Sequence, residues 1–281
     1  MILIADSGST KTDWVLLDGQ QVVSQMVTQG INPVHQDVST IAGILNEELG
    51  KTCVDVTAIR FYGSGCTQQC SPVVVRALSQ VFPMVEDVEV HSDLLAAARA
   101  VCGAEEGIAC ILGTGANSCL FDGRSIVDNV PPLGYILGDE GSGAVLGKMF
   151  LNALFKKALP DSLRDEYLSW AGLSYGDIIN KVYRQPMPNR FLASCSLFIG
   201  EHLEVEALKV LVRQNFVDFI VKNVERYSRR DLAVGAVGSI AWHYREILCD
   251  VVREMGYEIG KIIRSPMEGL VRYHADSNAL Q

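Results

Sequence analysis

The sequence lacks the long apolar and basic segments that mark two broad classes of protein. Within its 281 residues no apolar run approaches the roughly 20 residues needed to cross a bilayer, and no basic segment with a signal-type apolar stretch opens it. Lys and Arg form no dense block, and the formal net charge of -9 would repel a polyphosphate backbone. We therefore expect a cytoplasmic protein that has neither a membrane nor a nucleic acid as its partner.

The cysteines lack the paired C-x-x-C spacing that is typical of zinc sites. Most of them lie in apolar stretches, where reduced core thiols are the ordinary state. One close pair, Cys66 and Cys70, stands in the segment GSGCTQQC and has the chemistry to ligate a metal or an iron–sulfur cluster. This pair keeps a cofactor role open.

Two segments rich in glycine follow predicted buried strands. DSGSTKTD at 6–13 comes directly after the apolar run 1–5, and GTGAN at 113–117 comes after the run 107–112. The first is not a P-loop, because G-x-x-x-x-G-K-[ST] is absent, and it is not the dinucleotide fingerprint, because a strand rather than a helix follows. Small residues let backbone N–H groups approach phosphate oxygens, so each segment is either a phosphate loop or a solvated hairpin turn.

Both glycine segments belong to the same run of predicted elements: strand, turn, strand, Asp-Gly turn and strand. The first run continues to about residue 100 as helix, strand, helix, strand and helix. After the second run, the pattern predicts helices at 140–159, 163–170, 175–183 and 201–227, a strand at 232–237, a helix to about 255 and a strand at 258–263.

This repetition indicates an internal duplication and predicts an α/β protein with two related domains. The first domain is expected to span residues 1–105, and the second residues 106–265 with a helical insertion at about 140–230. Ser265-Pro266 opens a last predicted helix, because proline is tolerated in the first turn, and residues 266–281 are expected to pack back on the first domain.

The order of these motifs resembles one superfamily of ATPases. DSGSTKTD, HSDLLAAA, GTGAN, LGYILGDEGSG and VGAVG are similar to segments of actin, hexokinase and the heat-shock chaperones, and the match continues to SPMEGL near the C-terminus. Within that superfamily the chain most resembles the BadF/BadG/BcrA/BcrD-type ATPases, which include N-acetylglucosamine kinase and glucosamine kinase. The resemblance implies two ribonuclease-H-like domains with ATP in the cleft between them.

The resemblance implies nucleotide contacts at both glycine segments, which would face one another across the cleft. The residues that match the two phosphate motifs are Ser9, Thr10, Lys11, Gly113, Thr114 and Gly115. Gly235 and Gly238 match the adenosine segment, where absent side chains let the purine lie against the backbone; an ordinary strand-to-helix turn is the alternative. Asp6 would position Mg²⁺, through water.

The acceptor residues also follow from the resemblance. Asp93 matches the catalytic base, and Asn32, Asp139 and Glu140 match positions that contact sugar hydroxyls together with Asp93. A helix dipole would keep Asp93 ionised, and the alternative is that Asp93 is merely an N-cap. For Asp139 and Glu140 the alternative is charge at the start of a helix, and Asn32 with Pro33 would otherwise form a turn.

The function that these motifs predict is an ATP- and Mg²⁺-dependent sugar kinase that phosphorylates a hydroxyl of an amino sugar such as N-acetylglucosamine or glucosamine. Two alternatives stay open. The first, which Cys66 and Cys70 suggest, is an ATPase activator of an iron–sulfur dehydratase or reductase. The second is a non-catalytic sugar sensor built on a kinase scaffold. The identity of the sugar and the choice between a monomer and a homodimer are left open as well.

Overall fold

The chain forms two compact units, which are described separately. A computed structural model describes residues 1–8, 10–49 and 55–278. Unit 1 consists of Met1–Glu105, Gly123–Ser125 and the segment from Pro266 onward, and unit 2 consists of Glu106–Asp122 and Ile126–Ser265. In the described ranges no helix combines the length and the apolar character that a membrane span requires.

Unit 1 is built on one mixed sheet with the strand order β3-β2-β1-β4-β5. The first three strands form an antiparallel meander, and β4 and β5 run parallel to β1. The bounds up to residue 105 are β1 (Ile2–Ser7), β2 (Lys11–Asp18), β3 (Gln21–Gln29), α1 (Val38–Glu48), β4 (Ala58–Gly63), α2 (Ser71–Val81), β5 (Asp87–Ser92) and α3 (Asp93–Cys102).

Alternate residues of the central strand β1 serve two different cores. Leu3 and Ala5 are buried in a cluster that includes residues of α1 and α2. Ile4 points to the opposite side, where it belongs to a cluster with Ala96 of α3. This alternation follows from the period of two along a strand, and it explains why the apolar run at the start of the chain is continuous.

Unit 2 repeats the meander and the parallel strands, with the strand order β10-β9-β6-β7-β8. Its helices pack around a large apolar core that includes Phe150, Phe198 and Phe216. The bounds are β6 (Glu106–Leu112), β7 (Ala116–Asp122), β8 (Ile126–Asp128), α4 (Gly134–Leu137), α5 (Gly143–Phe155), α6 (Asp161–Ala171), α7 (Tyr175–Tyr183), α8 (Pro188–Glu201), α9 (Glu206–Lys222), β9 (Ala233–Val237), α10 (Ser239–His243), α11 (Arg245–Glu254) and β10 (Glu258–Ile263).

The predicted helix over 201–227 is wrong in its boundaries. The α8 helix ends at Glu201, α9 begins only at Glu206, and a short 3-10 helix covers Val224–Tyr227. No helix was predicted over α8, in which Pro188 stands at the first turn, where its missing N–H costs nothing. The predicted helix took in the turn at 202–205 before α9 and the 3-10 helix after it, because the apolar pattern continues through both.

The last helix, α12 (Met267–Asn278), packs against α3 in unit 1. A Cβ at Gly269 would lie 2.6 Å from the Cα of Ala100, so the two helices approach at a distance that only glycine allows. His274 is 6% exposed, and its Nε2 lies 2.9 Å from the Tyr62 hydroxyl, which also accepts a hydrogen bond from Arg99 at 2.6 Å. Burial, followed by the charge of Arg99, lowers the pKa of His274 to about 4.

We expect the stability of unit 1 to fall as the pH is lowered through the range in which His274 titrates. The folded protein holds His274 neutral with a pKa of about 4, whereas the unfolded chain takes up the proton near 6.5. The contribution of neutral His274 to the free energy of unfolding is therefore complete above pH 6.5. It is lost as the pH falls toward 4, and the loss is at most about 3 kcal/mol. His274→Gln should flatten the decline of the free energy of unfolding measured by urea titration between these pH values. An equal slope in both proteins would contradict the assignment.

Candidate active site

The strands of unit 1 bring several sequence-predicted residues to one edge of its sheet. Ser7, Gly63 and Ser92 are paired in register at the carboxyl ends of the three parallel strands. The chain continues from the last two of these strands into Ser64 and Asp93. Because ligands in open α/β sheets bind at the carboxyl ends of parallel strands, this edge is the place to look for an acceptor site.

Asp93 is the first residue of α3, but it does not cap the helix. The cap is Ser92, whose side chain accepts a hydrogen bond from the Leu95 N–H at 3.3 Å. The Asp93 carboxylate accepts hydrogen bonds from the Leu94 N–H, its own N–H and the Ser64 hydroxyl. The reading of Asp93 as merely an N-cap is therefore wrong.

Burial also reverses the expected electrostatics of Asp93. The helix dipole was expected to hold the carboxylate firmly ionised, yet burial raises the pKa of Asp93 against the opposing hydrogen bonds from Leu94, from its own N–H and from Ser64. A raised pKa makes a carboxylate a better proton acceptor, so the surroundings of Asp93 suit a general base.

Asn32 lies next to the loop that holds Ser64. The Asn32 side chain accepts a hydrogen bond from the Val34 N–H at 3.0 Å, so the predicted turn at this point is present. Gly65 has φ +79°, and a Cβ there would lie 2.4 Å from the Asn32 side-chain oxygen. The buried Ser7 hydroxyl fixes the preceding residue by bonding the N–H and the carbonyl of Ile31 at 3.0 and 2.9 Å. Unit 1 therefore brings Asn32 and Asp93 together around Ser64.

The first glycine segment forms the hairpin turn between β1 and β2, and Asp6 and Asp13 are paired across those strands. Lys11 is 62% exposed and forms an ion pair with Asp13 at 2.7 Å. Thr10 lies in the turn, where its carbonyl accepts a hydrogen bond from the Gly30 N–H at 3.0 Å. Ser9, which precedes Thr10 in the predicted phosphate motif, lies outside the described residues.

Asp6 occupies a site with an excess of negative charge. Burial, followed by the carboxylates of Asp13 and Asp93, raises the pKa of Asp6 to about 7, and Lys11 opposes the rise. In the part of the chain that the structure describes, no three His, Cys, Asp or Glu side chains are placed to hold a metal ion unaided. A cation at Asp6 would thus need further ligands from phosphate or water, which is how Mg²⁺ is usually held.

The second glycine segment is the tight turn between β6 and β7. The Gly113 N–H donates to the Gly115 carbonyl at 2.9 Å, and the first amides of α5 bind the outside of the turn. Gly143 donates to the Gly113 carbonyl at 2.8 Å, and Ala144 donates to the Thr114 carbonyl at 3.2 Å. Among the residues that the structure describes, no atom beyond its two chain neighbours lies within 4 Å of a Cβ built at Gly113. The turn is thus held from one side and leaves open space at Gly113.

Asp139 lies against this same turn. It adopts a left-handed backbone conformation with φ 58°, and its carboxylate accepts hydrogen bonds from the Ala116 and Gly134 N–H groups. A Cβ at Gly115 would lie 3.2 Å from the Asp139 carboxylate. Burial raises the pKa of Asp139 despite these hydrogen bonds. Asp139 therefore links the turn to the loop that precedes α5.

Glu140 is engaged differently from its neighbour. Its carboxylate accepts a hydrogen bond from Lys222 of α9 at 2.9 Å. Burial alone would raise the pKa of Glu140, but the hydrogen bond and the charge of Lys222 outweigh it and lower the pKa. Glu140 is an ionised side chain held toward α9, whereas Asp139 is held toward the glycine turn.

The two glycines of the predicted adenosine segment lie at different places. Gly238 follows β9 with φ +127°, and a Cβ there would lie 2.3 Å from the Leu112 carbonyl oxygen. Gly238 is therefore packed against the residue that enters the second glycine turn. Gly235 lies within the sheet, paired with Ala109 of β6. The structure brings Gly238, and not Gly235, to the edge that carries the turn.

Solved structures show which family has this arrangement. A protein of Porphyromonas gingivalis described as a "putative N-acetylglucosamine kinase" is 50% identical over 99% of this chain and 100% of its own, with a TM-score of 0.95. The chain belongs to the N-acetylglucosamine kinase family. A protein of Chromobacterium violaceum with the same description is 17% identical over 97% of this chain and 98% of its own, with a TM-score of 0.72.

Solved structures of lower sequence identity are similar to this chain in fold alone. A ROK hexokinase of Thermus thermophilus is 16% identical over 97% of both chains, with a TM-score of 0.56. No family model matches this chain, and no curated protein does. The predicted resemblance to N-acetylglucosamine kinases and the predicted α/β fold of two actin-like ATPase units are confirmed.

The sequence reasoning missed Ser64 in this member of the N-acetylglucosamine kinase family. Ser64 lies in the segment GSG at 63–65, which starts with the last residue of β4 and has no predicted role. Its N–H donates to the Ser7 carbonyl at 3.0 Å, and its hydroxyl bonds Asp93. A serine directly after a buried strand was the available signal, but its partner lies 29 residues further along the sequence.

Of the two close cysteines, Cys66 has the character of a core thiol, whereas Cys70 is only partly buried. Burial, followed by the charges of Asp93 and Cys70, raises the pKa of the Cys66 thiol to about 12. Metals and clusters bind thiolates, and Cys66 is held protonated beside Asp93. This environment disfavours the iron–sulfur alternative.

A cavity of about 450 Å³ opens on unit 1 away from the candidate residues. Its lining includes Asp18 at the β2–β3 turn, Arg60 of β4, Asp87 at the start of β5, and Tyr273 and His274 of α12. None of the sequence-predicted site residues that the structure describes contributes to it. This opening lies toward the opposite end of the parallel strands from Asp6 and Asp93, so it does not mark the acceptor site.

Proposed function

We propose that this protein transfers the γ-phosphoryl group of ATP to a hydroxyl of an amino sugar, with N-acetylglucosamine or glucosamine as the acceptor. Whole-length similarity to the P. gingivalis protein supports this class of substrate. The observation within the chain that carries the proposal is the environment of Asp93, a buried carboxylate with a raised pKa, hydrogen-bonded to Ser64 in the loop beside Asn32.

Asp93 has the role of the general base. As the sugar hydroxyl attacks phosphorus, its proton must leave, and a carboxylate with a raised pKa accepts it more readily than an exposed one. The hydrogen bond from Ser64 fixes the orientation of the carboxylate. Asn32, whose side-chain oxygen is already engaged by Val34, retains its NH₂ group to donate to a second sugar hydroxyl.

The glycine segments have the role of binding the phosphates. Backbone N–H groups in the turn Gly113–Gly115 and the side chains of Thr10 and Lys11 would interact with phosphate oxygens, where phosphoryl transfer needs positioning and charge stabilisation more than covalent chemistry. The open space at Gly113 lets an oxygen approach the backbone. Gly238, packed at the entry to this turn, keeps side-chain atoms away from the nucleotide segment.

Mg²⁺ fits the surroundings of Asp6. The excess negative charge that raises the Asp6 pKa to about 7 would be offset by a divalent cation held there through water. Such an ion, when bound with ATP, neutralises charge on the phosphates. Asp13 and Asp6 would orient its water ligands, and Lys11 supplies further positive charge next to them.

An ADP-coupled assay with a panel of acceptors tests this function. We expect ADP release from the purified protein to depend on an added amino sugar, to stop with excess EDTA and to return when Mg²⁺ is restored. Hexoses without a nitrogen substituent serve as the matched controls for the amino sugars. A rate of ADP release that is the same with every acceptor and with none would contradict the proposal.

A further inference from the structure

Asn215 is a polar side chain in the apolar core of unit 2. It is fully buried on α9 next to Phe216, and the other buried residues of this helix are apolar. Burying an amide is costly unless its hydrogen-bonding groups are satisfied. A fully buried asparagine in such a helix therefore indicates a specific partner.

Both hydrogen bonds of Asn215 go to a single loop. Its side-chain oxygen accepts from the Gly141 N–H at 2.9 Å, and its NH₂ group donates to the Ser142 carbonyl at 3.1 Å. One rigid amide thus bonds two consecutive residues, through one donor and one acceptor. This pair of bonds fixes the position of the backbone relative to α9.

The loop that Asn215 holds has an unusual backbone. Asp139 and Gly141 both have positive φ, of 58° and 83°. A Cβ at Gly141 would lie 2.9 Å from Leu112 and Phe219 atoms, so the loop is pressed against the core. On its other side the Asp139 N–H donates to the Pro132 carbonyl at 2.8 Å. Left-handed non-glycine residues persist where their surroundings over-determine them, and Asn215 supplies that constraint.

The same loop presents groups that the phosphotransfer needs. Asp139 bonds the Ala116 N–H beside the second glycine turn, and Ser142 caps α5 by accepting from the Val145 N–H at 3.1 Å. The following amide, Gly143, holds the Gly113 carbonyl. A shift of residues 139–142 would therefore displace Asp139 directly, and it would displace the second glycine turn only indirectly, through Gly143.

We propose that Asn215 is a positioning residue, which fixes the loop 139–142 so that Asp139 is presented to the sugar acceptor. The inference rests on the proposed function, because it assigns Asp139 to acceptor binding. It adds a specificity-determining contact at a residue that touches neither substrate. Loss of the contact should weaken acceptor use more than ATP use.

The test compares Asn215→Asp with Asn215→Leu. A protonated carboxyl group carries one O–H donor and one carbonyl acceptor, so it reproduces both bonds of the amide, whereas the ionised form cannot donate to the Ser142 carbonyl. Burial raises the pKa of such a carboxyl group toward neutrality or above. We measure the ratio of kcat/KM for the acceptor in Asn215→Asp to kcat/KM in the wild type. We expect this ratio to fall by about tenfold between about pH 6 and about pH 9, as the new carboxyl group loses its proton. Asn215→Leu should be low throughout.

Three comparisons make the outcome decisive. Val212→Ala, one turn away on α9 and equally buried, removes packing without touching the loop and should leave the pH dependence as in the wild type. The KM for ATP should change less than the KM for the acceptor, measured on protein shown to be folded by circular dichroism. The assignment would be overturned if the ratio of kcat/KM between Asn215→Asp and the wild type did not vary with pH. It would also be overturned if the KM for ATP and the KM for the acceptor changed equally.

Failure of the proposed function gives a different result. If the wild-type protein itself shows no acceptor-dependent ADP release, the sugar kinase proposal is wrong. If the wild type is active and Asn215→Leu has wild-type acceptor kinetics, only the role of Asn215 is wrong.

Discussion

Asp93→Asn is expected to lose sugar phosphorylation by about 10²- to 10⁴-fold while ATP binding stays close to that of the wild type. The amide cannot accept the hydroxyl proton, yet it keeps the size of the carboxylate and an oxygen for the Ser64 hydrogen bond. Steady-state ADP release with a saturating amino sugar measures the loss, and titration with a fluorescent ATP analogue measures the affinity that should survive.

Ser92→Ala is the matched control for this variant. Ser92 caps the same helix that Asp93 begins, so its loss should cost about 1 kcal/mol of stability while leaving turnover within about twofold. If Asp93→Asn retains wild-type turnover, Asp93 is not the base. If Ser92→Ala loses as much activity as Asp93→Asn, the effect belongs to the helix start rather than to the carboxylate.

Gly113→Ala is expected to raise the KM for ATP by tenfold or more, on the order of 1.4 kcal/mol of lost binding, with little change in thermal stability. The turn has room for the methyl group, because no atom of the described ranges, apart from those of the two neighbouring residues, lies within 4 Å of it. The space is required by the phosphate oxygens, which approach the backbone of the turn in our account. The unfolding temperature and the KM for ATP, measured together, separate these two consequences.

Gly43→Ala provides the control for Gly113→Ala. Gly43 lies within α1, and in the described part of the chain a Cβ there meets no atom within 4 Å apart from those of its neighbours and of its own helix backbone. Alanine should raise stability by about 0.5–1 kcal/mol at that position, because glycine is a poor helix former, and should leave the KM for ATP unchanged. A Gly113→Ala enzyme with normal ATP kinetics would remove the second glycine turn from the phosphate site.

Local patterns in the sequence predicted most of the fold. The Asp-Gly pair at 18–19 lies at the turn between β2 and β3, and the apolar runs before each glycine segment became β1 and β6. Helix α7 was predicted at its observed bounds from the spacing of its apolar residues, and the structure shows that Ser174 caps it. Strand, turn and cap signals depend on neighbours along the chain, and a single sequence contains them.

What the sequence did not reveal depends on tertiary contacts. The raised pKa of Asp93 follows from burial among residues that are distant in sequence, whereas the helix start, which is local, suggested the opposite direction. Asn215 looks like a polar interruption of an apolar helix until the Gly141 N–H is found 2.9 Å from its side chain. Ser64 likewise acquires a role only when the parallel pairing of β4 and β5 places it beside Asp93.

The measurement that tests the central claim most directly is the identification of the reaction product by mass spectrometry. Wild-type protein incubated with ATP, Mg²⁺ and N-acetylglucosamine or glucosamine should yield one monophosphorylated sugar for each ADP formed, and Asp93→Asn should yield almost none. Formation of ADP without a phosphorylated sugar, or at the same rate when both sugars are omitted, would contradict the account.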